Sequence, residues 1–92
     1  MKKRVHLFVS GRVQSVGFRA MTQQLASTLN IKGWVKNLSN GDVEVEAEGT
    51  TENLEKFIAS IKQGPSRFIK VSNIDMTTYN DIVGYTSFKI KY

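Results

Sequence analysis

Hydrophobic residues recur along this chain with two distinct periods. Val5, Leu7 and Val9 alternate with Arg4, His6, Phe8 and Ser10, the two-residue period of a strand with one face in a core. From Phe18 the period lengthens. Positions 18, 21, 25 and 29, with Ala26, share one face of a helix, and Asn30 marks its end. Ile31 to Leu38 reads as a second strand, and Ser39-Asn40-Gly41-Asp42 as a hairpin turn. Val43, Val45 and Ala47 alternate strictly with Asp42, Glu44, Glu46 and Glu48, which predicts a third strand ending at Gly49 with its acids on a solvated face. Leu54, Phe57, Ile58 and Ile61 form the stripe of a second helix. Thr51 is its expected N-cap, Glu52 and Glu55 lie in its first turn, and Gly64-Pro65 stops it. Ile69 and Val71 open a fourth strand. Ile74 and Met76 continue it on the opposite parity, so a bulge or bend is expected near Ser72-Asn73. After a polar turn around Asn80-Asp81, Phe88, Ile90 and Tyr92 alternate with Ser87, Lys89 and Lys91 in a last strand.

The predicted order is βαββαβ plus a fifth strand. Two helices with one apolar stripe each must cover the same face of a mostly antiparallel sheet, an α+β ferredoxin-like sandwich. No repeat, linker or low-complexity stretch interrupts it, so a single domain over residues 1–92 is expected. Hydrophobic content of 40% with 23% charged residues fits a globular protein. No apolar run approaches the length of a membrane span, and the basic start is too soon interrupted for a secretory signal, so a cytoplasmic location is expected. With no cysteine, disulfides and thiolate metal sites are excluded.

Charge changes the picture. Residues 1–41 hold seven Lys/Arg and no acid, whereas residues 42–92 hold six basic and eight acidic residues, for a net charge of +5. Within the basic half lies Gly11-Arg12-Val13-Gln14-Ser15-Val16-Gly17-Phe18-Arg19, between the first strand and the first helix. A strand-to-helix loop of this kind turns main-chain N–H groups toward one point, and the helix adds its own unpaired N–H groups and the positive end of its dipole. Helices ordinarily carry acids in the first turn; this one carries Arg19. The pattern predicts an anion site suited to a phosphoryl group.

Together with Gly33-Trp34-Val35-Lys36-Asn37, Gly41, Val43 and Gly49, that loop resembles the two signature stretches of the acylphosphatase family, and the likeness covers essentially the whole chain. The resemblance implies hydrolysis of acyl phosphates, mixed carboxylic–phosphoric anhydrides, with no metal and no organic cofactor. By the same resemblance Arg19 corresponds to the phosphate-binding arginine and Asn37 to the asparagine that orients the attacking water. Gln14, Ser15, Val16, Gly17 and Phe18 correspond to the cradle of backbone amides around the phosphate. It implies a small-molecule acyl phosphate as substrate, inorganic phosphate or sulfate as competitive ligands, and a monomer. Ser15 departs from the family pattern, which usually has glycine there. A positive φ at that position would cost a residue with a Cβ about 1–2 kcal/mol.

Other readings stand beside this one. Arg19 can be a solvated helix residue, and Asn37 can bond its own backbone before a turn. His6 has no metal-ligating neighbours in sequence and reads as structural, and Trp34 reads as a packing residue. The serines and threonines lack a paired base for a nucleophilic triad. The basic balance also suits an RNA-binding module of the same element order. Against that, the third strand Asp42-Val43-Glu44-Val45-Glu46-Ala47-Glu48 would repel a phosphate backbone. A non-catalytic anion-binding module is the other alternative.

Overall fold

The computed structural model describes residues 1–64 and 66–92, and the Pro65 half of the expected Gly64-Pro65 stop lies outside them. Seven elements follow in the order β1 (Lys2–Arg12), α1 (Phe18–Thr28), β2 (Lys32–Asn37), β3 (Val43–Thr50), α2 (Thr51–Gln63), β4 (Lys70–Tyr79) and β5 (Phe88–Lys91). The strands form one sheet in the order β4-β1-β3-β2-β5. All neighbours pair antiparallel except β2 with β5, which run parallel. This is the ferredoxin-like α+β architecture that the two periods predict.

The core lies between the sheet and the two helices. Val5, Leu7 and Val9 of β1, with Val43, Val45 and Ala47 of β3, supply its sheet side; Phe18 and Ala26 of α1, with Leu54, Phe57 and Ile61 of α2, close it from above. Burying side chains of this size contributes roughly 1.5–3 kcal/mol each, so the alternation itself dictates which face the helices cover. Residue Asn30 stops α1 in the left-handed region, at φ 54°. The next residue, Ile31, donates its N–H to Ala26 O at 2.8 Å, the reversal that satisfies a helix's last carbonyls.

The bulge falls where opposite parity required it. Ser10 pairs with Asn73 but Gly11 pairs with Val71, which leaves Ser72 as the extra residue and returns Ile74 to the face of Val71. Gly11 sits at this step with φ 128°, and a Cβ there would stand 2.1 Å from Lys70 O. Only glycine fits, and the kink sends the chain off the sheet toward α1.

Three expectations need correction. The N-cap of α2 is Thr50, whose hydroxyl accepts from Asn53 N–H at 3.2 Å, and Thr51 is the first helical residue. Strand β3 accordingly runs through Gly49 to Thr50 instead of ending at Gly49. The acids of β3 do not form a solvated row: Glu46 and Glu48 are only 6% and 4% exposed. The segment between β4 and β5 folds over them. Glu48 accepts the N–H groups of Gly84 and Tyr85 at 3.0 and 3.1 Å and also that of Val83, while Tyr85 donates its hydroxyl to Glu46.

Candidate active site

The β1–α1 junction, the end of β2 and residues 90–92 meet at one end of the sheet. The loop after β1 brings Ser15 and Gly17, the first turn of α1 brings Phe18 and Arg19, and the last residue of β2 brings Asn37. With Ile90 of β5 and Tyr92 just after it they line a cavity of about 190 Å³. Asn37 follows the buried Val35 by two residues, so strand alternation aims its side chain at the helix side of the sheet.

The start of α1 is open to a guest. Its N-cap, Gly17, adopts the left-handed conformation with φ 81°, no side chain caps the helix, and no acid stands in its first turn. The first main-chain bond of the helix runs from Met21 N–H to Gly17 O at 3.0 Å. The N–H groups of Phe18, Arg19 and Ala20 therefore have no intrahelical acceptor and carry the positive end of the dipole. Ser15, at φ 62°, also holds the left-handed conformation, in which the departure from glycine carries a strain.

Arg19 is anchored from β5. One of its guanidinium nitrogens, Nη1, donates to Lys91 O at 3.2 Å, and its Cζ lies 4.8 Å from the centroid of the Tyr92 ring. A single bond leaves most of the planar fork free. Asn37 presents the opposite problem. Its Oδ1 is buried and has no hydrogen-bond partner among the described residues. An orphaned acceptor of this kind costs about 1–3 kcal/mol unless water or a ligand satisfies it.

Gln14 and Val16 do not line the cavity. The side chain of Gln14 turns to the β2–β3 hairpin, where Nε2 donates to Leu38 O at 2.7 Å and Asp42 O at 2.8 Å. It ties the loop to the strand end that carries Asn37. Sequence reasoning missed Val13, Ala20, Ile90 and Tyr92 as lining residues, and the carbonyl of Lys91 as the anchor of Arg19. The alternation of Phe88, Ile90 and Tyr92 gave their common face, but only the parallel pairing of β5 with β2 places that face beside the loop.

On the far face of the sheet, both ring nitrogens of His6 face carboxylates, Nδ1 at 2.7 Å from Glu46 and Nε2 at 2.6 Å from Glu44, and Arg4 reaches Glu46 at 3.1 Å. Burial pushes the Glu46 carboxyl up. Hydrogen bonds from Tyr85 and His6, with the charge of Arg4, more than reverse this and hold it below the usual carboxylate value. Burial and the Glu46 contact push the Tyr85 phenol up. Among the described residues no three His, Cys, Asp or Glu side chains gather in a way that could hold a metal ion, and no helix is long and apolar enough to cross a membrane.

The family model described as Acylphosphatase matches residues 5–90. The chain belongs to the acylphosphatase family. It is 44% identical over 89 residues to an acylphosphatase of Methanospirillum hungatei, covering 97% of each chain. It is 45% identical to one of Clostridium acetobutylicum over 92 residues and the full length of both. The crystal structure of acylphosphatase from Bacillus subtilis superposes with a TM-score of 0.94 at 40% identity, covering 98% of this chain and 99% of that one.

Proposed function

We propose that this member of the acylphosphatase family hydrolyses acyl phosphates by gripping the phosphoryl group at the start of α1 and delivering water to it from Asn37. The observation that carries this reading is the buried, unpartnered Oδ1 of Asn37 in the same cavity as Arg19 and the uncapped helix start. A phosphoryl group needs donors for three equatorial oxygens, and the free N–H groups with the Arg19 fork supply them. Water donating a hydrogen bond to Oδ1 has its lone pair turned toward phosphorus. As the water oxygen bonds to phosphorus, the bond from phosphorus to the acyl oxygen breaks, and a carboxylate leaves without needing a general acid. The water's proton passes to a phosphoryl oxygen or to solvent. No step of this reading calls on a metal or a cofactor.

Release of inorganic phosphate from benzoyl or acetyl phosphate in the presence of EDTA tests it. Asn37→Ala is expected to lower kcat at least about 100-fold with a small change in KM, the scale of a lost water-positioning group. Arg19→Ala should damage both kcat and KM. Near-normal turnover in either variant would refute this division of labour. Inorganic phosphate should inhibit competitively.

A further inference from the structure

On the sheet face away from the helices, the segment between β4 and β5 forms the wall of a second hollow. Its main chain is tightly held. Glu48 accepts the N–H groups of Val83, Gly84 and Tyr85, the Tyr85 hydroxyl donates to Glu46, and Gly33 N–H donates to Ser87 O at 2.9 Å. Between this wall and β5 lies a space of about 380 Å³ floored by Trp34. It has twice the volume of the cavity at Asn37 and shares no lining residue with it. Small organic molecules occupy hollows of about 300–1,000 Å³. The larger space falls in that range and the smaller one, suited to a phosphoryl group, does not.

The lining sets what such a molecule must be. Its floor is aromatic. Trp34 meets His6 nearly at right angles, with centroids 5.8 Å apart, and its Nε1–H donates to the Tyr85 hydroxyl at 3.2 Å. The indole is thus fixed in place while remaining only half-buried. Its charge is positive and unopposed. Lys89 and Lys91 are exposed, the lining contains no acid, and among the described residues neither lysine is in ion-pair contact with a carboxylate. Glu46, in register with Trp34, is buried and already filled by Arg4, His6 and Tyr85. The Lys91 ammonium lies instead 4.3 Å from the centroid of the Trp34 ring. A cation–π contact at an exposed site is weaker than a hydrogen bond between an ammonium and an anion. An anionic guest therefore draws the ammonium off the indole and uncovers a ring face, on which a flat ring of the guest stacks.

We propose that this hollow is a second binding site, separate from the phosphoryl cavity, for a flat aromatic molecule that carries a phosphate or a carboxylate. The ring rests on Trp34 and the anion pairs with Lys89 and Lys91, while the hydroxyl-bearing Thr86 and Ser87 border the guest's polar edge. Wall and floor are ordered before the guest arrives, so little freedom is lost on binding. Nothing in this recognition draws on acyl-phosphate chemistry, and the site stands or falls without it.

Trp34 is the only tryptophan of the chain, so its fluorescence reports the site directly. The probes are AMP and benzoate, each titrated into the full chain with inorganic phosphate in saturating excess to occupy the cavity at Asn37. A saturable change in emission, half-complete at or below about 1 mM, is expected for at least one of them. Response to AMP alone marks a nucleotide site, to benzoate alone a site for small aromatic acids, and to both a site that asks only for ring and charge. Adenosine, which keeps the ring, and ribose 5-phosphate, which keeps the anion, should each bind at least about tenfold more weakly than AMP. Lys89→Gln/Lys91→Gln should weaken the responding probe at least about fivefold, whereas Lys56→Gln/Lys62→Gln on α2, which removes the same charge elsewhere, should not. No saturable change with either probe, adenosine bound as tightly as a responding AMP, equal weakening in the two lysine variants, or a signal abolished by phosphate overturns the proposal.

Discussion

Ser15 holds a left-handed backbone conformation at φ 62° in a loop where Gly17, two residues on, does the same without a Cβ. A serine there stores strain that glycine would not. Ser15→Gly is expected to raise stability by about 1 kcal/mol, somewhat offset by the greater freedom of glycine in the unfolded chain. For a domain of this size that corresponds to roughly 4–8 °C in Tm. Thermal unfolding followed by circular dichroism checks it, and an unchanged or lower Tm would show that the Ser15 hydroxyl compensates the strain. The sequence identifies this residue as the departure from the family pattern. The sign of its φ is a property of the folded loop, and no spacing rule supplies it. Asn37 is similar: its place in the second signature stretch marked it, whereas the isolation of its Oδ1 in a cavity became visible only with α1 and β5 around it.

The elements themselves were largely legible because each carries one clear period. Both helices, all five strands and the bulge at Ser72 follow from where apolar residues recur. The acids of β3 did not, for a physical reason. Alternation tells which residues share a face but not what later covers it, and the 80–87 segment reads only as a polar connection. Folded over the sheet, it turns Glu46 and Glu48 into buried acceptors. This carries a pH dependence. Because the folded carboxyl of Glu46 lies below its ordinary value, the unfolded chain binds its proton more readily. The stabilisation is present above the unfolded pKa of about 4.3 and is lost as pH falls through the folded value. Glu46→Gln is expected to lower stability at pH 7 and to flatten the acid limb of the stability curve. Urea unfolding between about pH 3 and 7 measures both, and an acid limb as steep as that of the wild type would place the linkage on another group.

Taken whole, the molecule sorts its charge more than its composition suggests. The acids of β3 are partnered by Arg4, His6 and main-chain N–H groups, while Arg19 of α1, Lys36 of β2 and Lys91 of β5 stand toward the cavity end of the sheet. The contrast between a basic first half and a mixed second half was readable from the sequence. That the acids of the mixed half would be partnered was not, because their partners come from β1 in the other half and from a connecting segment far along the chain. A phosphoryl guest that binds only the folded state must stabilise the entire fold. Inorganic phosphate at ten times its dissociation constant is expected to add about 1.4 kcal/mol to the unfolding free energy. Arg19→Ala should abolish that increment. A thermal shift that persists in this variant would place the anion elsewhere on the basic surface.

The anchor of Arg19 belongs to a four-residue edge strand, held to the sheet by β2 alone. Edges of this kind open first when a protein is warmed. Catalysis should then fade several degrees before the far-ultraviolet signal of the helices, because peeling back β5 frees the guanidinium while the rest of the sandwich endures. In such a molecule turnover is a more sensitive thermometer than secondary structure, and activity that survives to the midpoint of global melting would mean that the edge and the body come apart together.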